Sequence, residues 1–81
     1  MPSSTNYTKR QGQFLAFIFY YTKINKIPPA EKDIQIYFQI ESSSVHTMIK
    51  TLLKKELITK IPGKSRSITI NIDRAELPDL E

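Results

Sequence analysis

Apolar residues recur along most of this chain at helical spacing and switch to alternation near its C-terminal end. Val45, Met48, Ile49, Leu52 and Leu53 fall at i, i+3, i+4, i+7 and i+8, one face of an amphipathic helix. The opposite face carries Ser44, His46, Thr47, Lys50, Thr51, Lys54 and Lys55, which are hydrogen-bonding or cationic and never acidic. Upstream, Phe14, Leu15, Phe17, Ile18 and Tyr21 mark the core face of an earlier helix. Ile34 and Phe38, at i and i+4, mark a shorter one between them. Ile68, Ile70 and Ile72 alternate with Thr69 and Asn71, the period of a half-buried strand.

Punctuating residues set the limits of these elements. Thr8-Lys9-Arg10-Gln11 reads as a capping box and predicts a first helix over residues 9–23. Asn25 lies near its end, where a left-handed residue is often required. Ile27-Pro28-Pro29 predicts an extended connector, because proline pushes the residue before it out of helical geometry. A second helix is expected over residues 30–40, with Glu31 and Asp33 in the first turn, where the helix dipole favours anions. Glu41-Ser42-Ser43-Ser44 forms the turn, one serine serving as N-cap of a third helix that reaches residue 56. Residues 57–61 read as a strand and Pro62-Gly63 as a tight turn, proline presetting one φ and glycine permitting a positive one. The fold class predicted is mainly α with a small β-hairpin, a three-helix winged helix-turn-helix. Residues 1–6 are expected to be disordered, residues 7–72 to form the winged-helix domain and residues 73–81 an acidic tail.

Composition narrows the function classes. At 81 residues the chain is one domain with a small core, burying roughly 60% of its unfolded surface. It has no cysteine and one histidine, so neither disulfides nor a protein-only metal site is expected. No apolar run approaches the roughly 18 residues of a membrane span, and no signal-peptide pattern is present. The expected setting is cytoplasmic and nucleoid-associated. No nucleophile–base–orienter set, phosphate loop or metal-ligand cluster is present. Enzyme chemistry, a cofactor and a small-molecule substrate are therefore not expected. The net charge of +4 is unevenly spread. Residues 1–70 hold eleven Lys/Arg against four Asp/Glu, a net +7, whereas residues 71–81 hold one against four, a net −3. A basic body suits a polyanionic partner.

Double-stranded DNA is the partner whose shape matches the basic helix and hairpin. The major groove admits one α-helix, whose N-terminal half meets base edges, and orphan N–H groups at a helix start bind anions. Ser42, Ser43 and Ser44 place small hydroxyls there. His46, Thr47 and Lys50 lie farther along the polar face and are the candidates for base contact, with Lys54 beyond them. Lys60, Lys64 and Arg66, around the Pro62-Gly63 turn, are candidates for phosphate. Lys9 and Arg10 are further phosphate candidates. The third helix has no arginine, so the commonest bidentate guanine contact is missing from it.

In order and spacing these motifs resemble the N-terminal DNA-binding domain of the LexA repressor family, from about Tyr7 to Ile70. Tyr7-Thr8-Lys9-Arg10-Gln11 is similar to the family's L-[TS]-x-R-Q, Ile27-Pro28-Pro29 to its G-x-P-P connector, and Asp33-Ile34 to its [ED]-I. Ser42-Ser43-Ser44-Val45-His46 resembles S-S-S-T-V-H. Residues 52–58 resemble L-x-x-K-G-L-I, and residues 62–68 resemble P-x-x-x-R-[AG]-I. The resemblance implies operator binding by a dimer and transcriptional repression in a bacterial setting. By position it lays the base-reading helix on residues 43–53 and the wing on residues 61–67. The family's self-cleaving C-terminal domain, with its Ser–Lys dyad and most of the dimer contact, is not in this sequence, so autoproteolysis is not expected. The turn before the third helix is about one residue short, and Gln39 and Glu56 stand where the family has glycine.

Apolar residues exceed what one core can absorb. Phe19, Tyr20, Ile36 and Tyr37 are expected to form an association surface, with a homodimer as its first use. The alternative function is a winged-helix protein-interaction adaptor working through that surface.

Overall fold

A computed structural model describes residues 7–81, so the disorder expected of residues 1–6 lies outside the described residues. The elements are α1 (Lys9–Asn25), α2 (Glu31–Phe38), α3 (Ser42–Lys54), β1 (Ile58–Thr59), β2 (Thr69–Ile70) and a 3-10 turn (Arg74–Glu76). The α2–turn–α3 pair and the hairpin make a winged helix-turn-helix, as the hydrophobic pattern predicts. α2 packs on α3, and α1 packs on α2 and β2. No helix among the described residues is long and apolar enough to cross a membrane.

The capping box of α1 forms in both directions. Thr8 Oγ1 accepts from the Gln11 N–H at 3.1 Å, and Gln11 Oε1 accepts from the Thr8 N–H at 3.0 Å. The helix runs past the expected residue 23 and stops at Lys26, which is left-handed with φ 65°. Lys26, not Asn25, is thus the reversing residue, because the reversal must immediately precede the extended Ile27-Pro28-Pro29. Asn25 stays helical and donates its side-chain N–H to the Tyr21 carbonyl at 3.0 Å.

α2 is shorter than residues 30–40. Ala30 is its N-cap and has no side chain with which to cap, so the Asp33 carboxylate accepts the Ala30 N–H at 2.8 Å instead. Left-handed Gln39, φ 54°, ends it. Only Ile40 and Glu41 then separate Gln39 from α3, and this corrects the expected serine cap. Glu41 is the N-cap, its carbonyl accepting from Ser44 at 3.0 Å and Val45 at 3.2 Å, with no side-chain capping bond. The short turn draws all three serines inside the helix.

α3 stops at Lys54 rather than residue 56. Leu57 N–H bonds to the Leu52 carbonyl and Glu56 N–H to the Leu53 carbonyl, both at 3.0 Å, with Glu56 left-handed at φ 61°. This is the Schellman arrangement, and it turns Leu57 into the core.

The hairpin ladder is also shorter than expected, with Ile58 opposite Ile70 and Thr59 opposite Thr69. Left-handed Arg66, φ 54°, ends strand geometry before β2. Side chains hold the loop instead. Ser67 Oγ accepts from the Ile61 N–H at 3.0 Å and donates toward the Lys64 carbonyl at 2.9 Å. The Pro62-Gly63 turn closes with Lys64 N–H on the Ile61 carbonyl at 3.1 Å, and Gly63 supplies its φ of 77°.

The core is Phe14, Leu15, Phe17, Ile18, Ile34, Val45, Ile49, Leu52, Leu57, Ile58 and Ile68. Tyr21, Phe38, Met48 and Leu53 border it, half-buried. Phe38 stacks on Phe14 with centroids 4.4 Å apart. Residues 73–81 fold back on α1, and Leu77 and Leu80 pack against the core. Gln13 fastens them: its Nε2 donates to the Asp79 carbonyl at 2.9 Å and its Oε1 accepts from the Glu81 N–H at 2.8 Å. Tyr7 donates its hydroxyl to the Glu76 carbonyl. Gly12 lies beneath this packing, where an added Cβ would meet the Tyr7 ring at 2.7 Å and Pro78 at 3.1 Å.

Candidate nucleic-acid interface

The outer face of α3 is exposed along its length. Ser43, Ser44, His46, Thr47, Lys50 and Lys54 lie on it, exposed to solvent, and Ser42, also exposed, sits at the helix start above the Val45 side. With Glu41 as N-cap, the serine hydroxyls occupy the first helical turn, with the Ser44 N–H bonded to the Glu41 carbonyl. Among the described residues no hydrogen bond or ion pair engages the side chains of His46, Lys50, Lys54 or Lys64. Two shallow grooves flank the helix. One, about 350 Å³, is lined by Gln11, Ser43, Ser44, Thr47, Met48 and Thr51. The other, about 280 Å³, is lined by His46, Thr47, Lys50, Thr51 and Lys54. The first joins α3 to the start of α1, where Lys55 Nζ donates to Gln11 Oε1 at 2.9 Å. Lys9 and Arg10 are exposed at that end of α1. The Arg10 guanidinium lies 5.0 Å from the Phe38 ring centroid, and Lys9 is 3.9 Å from the Glu81 carboxylate.

The wing cations divide. Lys64 is exposed at the turn. Arg66, also exposed, directs Nη1 to Asp33 Oδ2 at 3.0 Å, the Tyr21 hydroxyl at 3.1 Å and the Pro28 carbonyl at 3.3 Å. The Tyr21 hydrogen bond first, and then the charge of Asp33, hold this guanidinium above the ordinary arginine range. Lys60 Nζ donates to Glu31 Oε2 at 2.8 Å, with both side chains about one-third exposed. The geometry therefore gathers the α3 residues and Lys64 as solvent-facing groups, and it binds Lys60 and Arg66 to the body of the protein.

The four residues expected to associate fall into two pairs. Phe19 and Tyr20 are half-buried and meet edge to face at 5.1 Å, with the Arg74 guanidinium 5.7 Å from the Phe19 ring centroid. Ile36 is 63% exposed and Tyr37 43%. Tyr37 stacks on Phe17 at 4.6 Å and donates its hydroxyl to the Glu81 carbonyl at 2.9 Å.

The family model described as LexA DNA binding domain matches residues 4–67. The chain belongs to the LexA DNA-binding domain family. It is 36% identical over 63 residues to the LexA repressor of Thermosipho africanus, covering 78% of this chain and 32% of that protein. It is 36% identical over 70 residues to the LexA repressor of Exiguobacterium sibiricum, covering 85% and 34%. To that of Verrucomicrobium spinosum it is 31% identical over 62 residues, covering 75% and 31%. The chain thus spans about a third of the length of the curated relatives it matches.

Within this LexA-type domain, sequence reasoning missed the inward contacts. Glu31 and Asp33 read as dipole partners of α2, and they also hold two of the three wing cations, Lys60 and Arg66. Tyr21 read as core, and its hydroxyl reaches Arg66. The available signal was a pair of carboxylates two positions apart at a helix start with unpaired cations downstream, which says nothing of which cation each would meet.

Proposed function

We propose that this chain binds double-stranded DNA as a transcriptional repressor domain, with α3 in the major groove and the wing turn against the backbone. The observation that carries the proposal is the α3 face, a row of hydroxyl, imidazole and ammonium groups on which His46, Lys50 and Lys54 have no hydrogen-bond or ion-pair partner among the described residues. Membership of a family described as a DNA-binding domain supports it. The serines at the start of α3 and the exposed Lys64 supply phosphate contacts, while His46, Thr47 and Lys50 face the base edges. The absence of arginine from α3 makes sequence discrimination modest.

The adaptor reading is weaker, because Phe19 and Tyr20 are half covered. Ile36 and Tyr37 remain the exposed apolar pair through which two copies would associate. Titration of duplex DNA at several salt concentrations tests the proposal. A binder that neutralises several phosphates shows log K falling steeply with log salt, and no binding at low salt would turn the assignment to the adaptor.

A further inference from the structure

The wing has little to hold it in place by itself. Its ladder joins two residues to two, and a hairpin that short does not fix its own orientation. Ile58 and Ile68 anchor its base in the core and β2 packs on α1, and its outer part is further tied to the domain by a clasp on the first turn of α2. Arg66 spans Asp33, Tyr21 and Pro28, and Lys60 meets Glu31. α2 is also the helix on which α3 is mounted. The two carboxylates therefore link the position of the wing to that of the α3 face.

We propose that Glu31 and Asp33 are positioning residues for DNA binding, carboxylates that strengthen attachment to a polyanion by holding the wing. The proposal rests on the functional reading above. Two opposed effects decide its sign. A carboxylate within a Debye length of about 8 Å of phosphate repels it. A wing fixed in the binding geometry, however, raises the competent fraction of the protein, and apparent affinity scales with that fraction. With the ladder so short, the second effect dominates. A competing picture has Asp33 withholding Arg66 from phosphate, and it predicts the opposite sign.

The test is titration of sonicated, mixed-sequence duplex DNA with the wild type, Asp33→Asn and Glu31→Gln, together with amide NMR of the wing. Both variants remove a negative charge at nearly constant shape. Asp33→Asn is expected to bind about three-fold or more weakly, the scale of one lost ion pair. Its amides over residues 61–67 should lose order while those of α3 keep theirs. Glu31→Gln should shift in the same direction. Binding as tight as the wild type, or tighter, overturns the proposal. Arg66→Lys keeps the charge and loses the reach to three acceptors, so it provides a second readout should Asp33→Asn fold poorly. It too should bind more weakly, and equal affinity overturns the clasp. If the wild type binds no DNA, the functional reading fails by itself, and the wing amides of Asp33→Asn still decide the clasp.

Discussion

Replacing Glu56 with glycine should stabilise this domain. Glu56 sits at φ 61°, the left-handed region, to close the Schellman turn that sends Leu57 into the core. That conformation costs a residue with a Cβ about 1–2 kcal/mol. Glycine removes the strain and gives back about 0.5–1 kcal/mol through the greater freedom of the unfolded chain. Glu56 also places a negative charge at the C-terminal end of α3, and its removal adds about 0.3 kcal/mol. Little is lost in exchange. The side chain is exposed, and the Asn71 amide bonds at 3.2 Å to the Glu56 backbone carbonyl, which glycine retains. The net gain is about 1 kcal/mol, or a rise of about 4–8 °C in the midpoint of thermal unfolding followed by far-UV circular dichroism. Glu56→Ala separates the contributions, since it removes the charge and keeps the strain, so it should gain about 0.3 kcal/mol. A Glu56→Gly midpoint no higher than that of Glu56→Ala would refute the strain argument.

Gly12→Val should destabilise by about 1–3 kcal/mol through overpacking against Tyr7 and Pro78, and should expose residues 77–81 to carboxypeptidase. An unchanged midpoint and unchanged digestion would mean that the tail does not pack there. Lys64→Ala should lessen the slope of log K against log salt by about 0.9, whereas Lys50→Ala should weaken binding and relax sequence preference, each with the thermal midpoint unchanged. A wild-type slope for Lys64→Ala would overturn the phosphate assignment, and wild-type affinity and preference for Lys50→Ala would overturn the base assignment.

Most of the fold was legible because its signals are local and redundant. The Thr8–Gln11 box, the double proline and the Pro62-Gly63 turn each fix a boundary by steric or hydrogen-bonding rules that act over a few residues. The misplacements share one cause. Lys26, Gln39 and Glu56 each end a helix in left-handed geometry without being glycine, so residue type does not mark the conformation, and only the family's glycines at the last two positions pointed to it. At Gln39 the consequence spread, since the early reversal of α2 made Glu41 the N-cap and took the serines into α3. At the candidate site, the α3 face could be read from helical period alone. The engagement of Lys60 and Arg66 could not, because their partners lie 29 and 33 positions away and depend on how the hairpin folds onto α2. The docking of residues 73–81 was hidden for the same reason. Their acidic composition gave no sign of it, and Leu77, Leu80 and the two bonds to Gln13 hold them down.

The central claim is that α3 and the tip of the wing face DNA together. Amide chemical-shift mapping during titration with a short duplex tests it most directly. The largest changes should fall on residues 42–50 and on Lys64, with residues 79–81 and the Ile36–Tyr37 face little affected. Changes concentrated on Ile36 and Tyr37, with residues 42–50 unmoved, would contradict it.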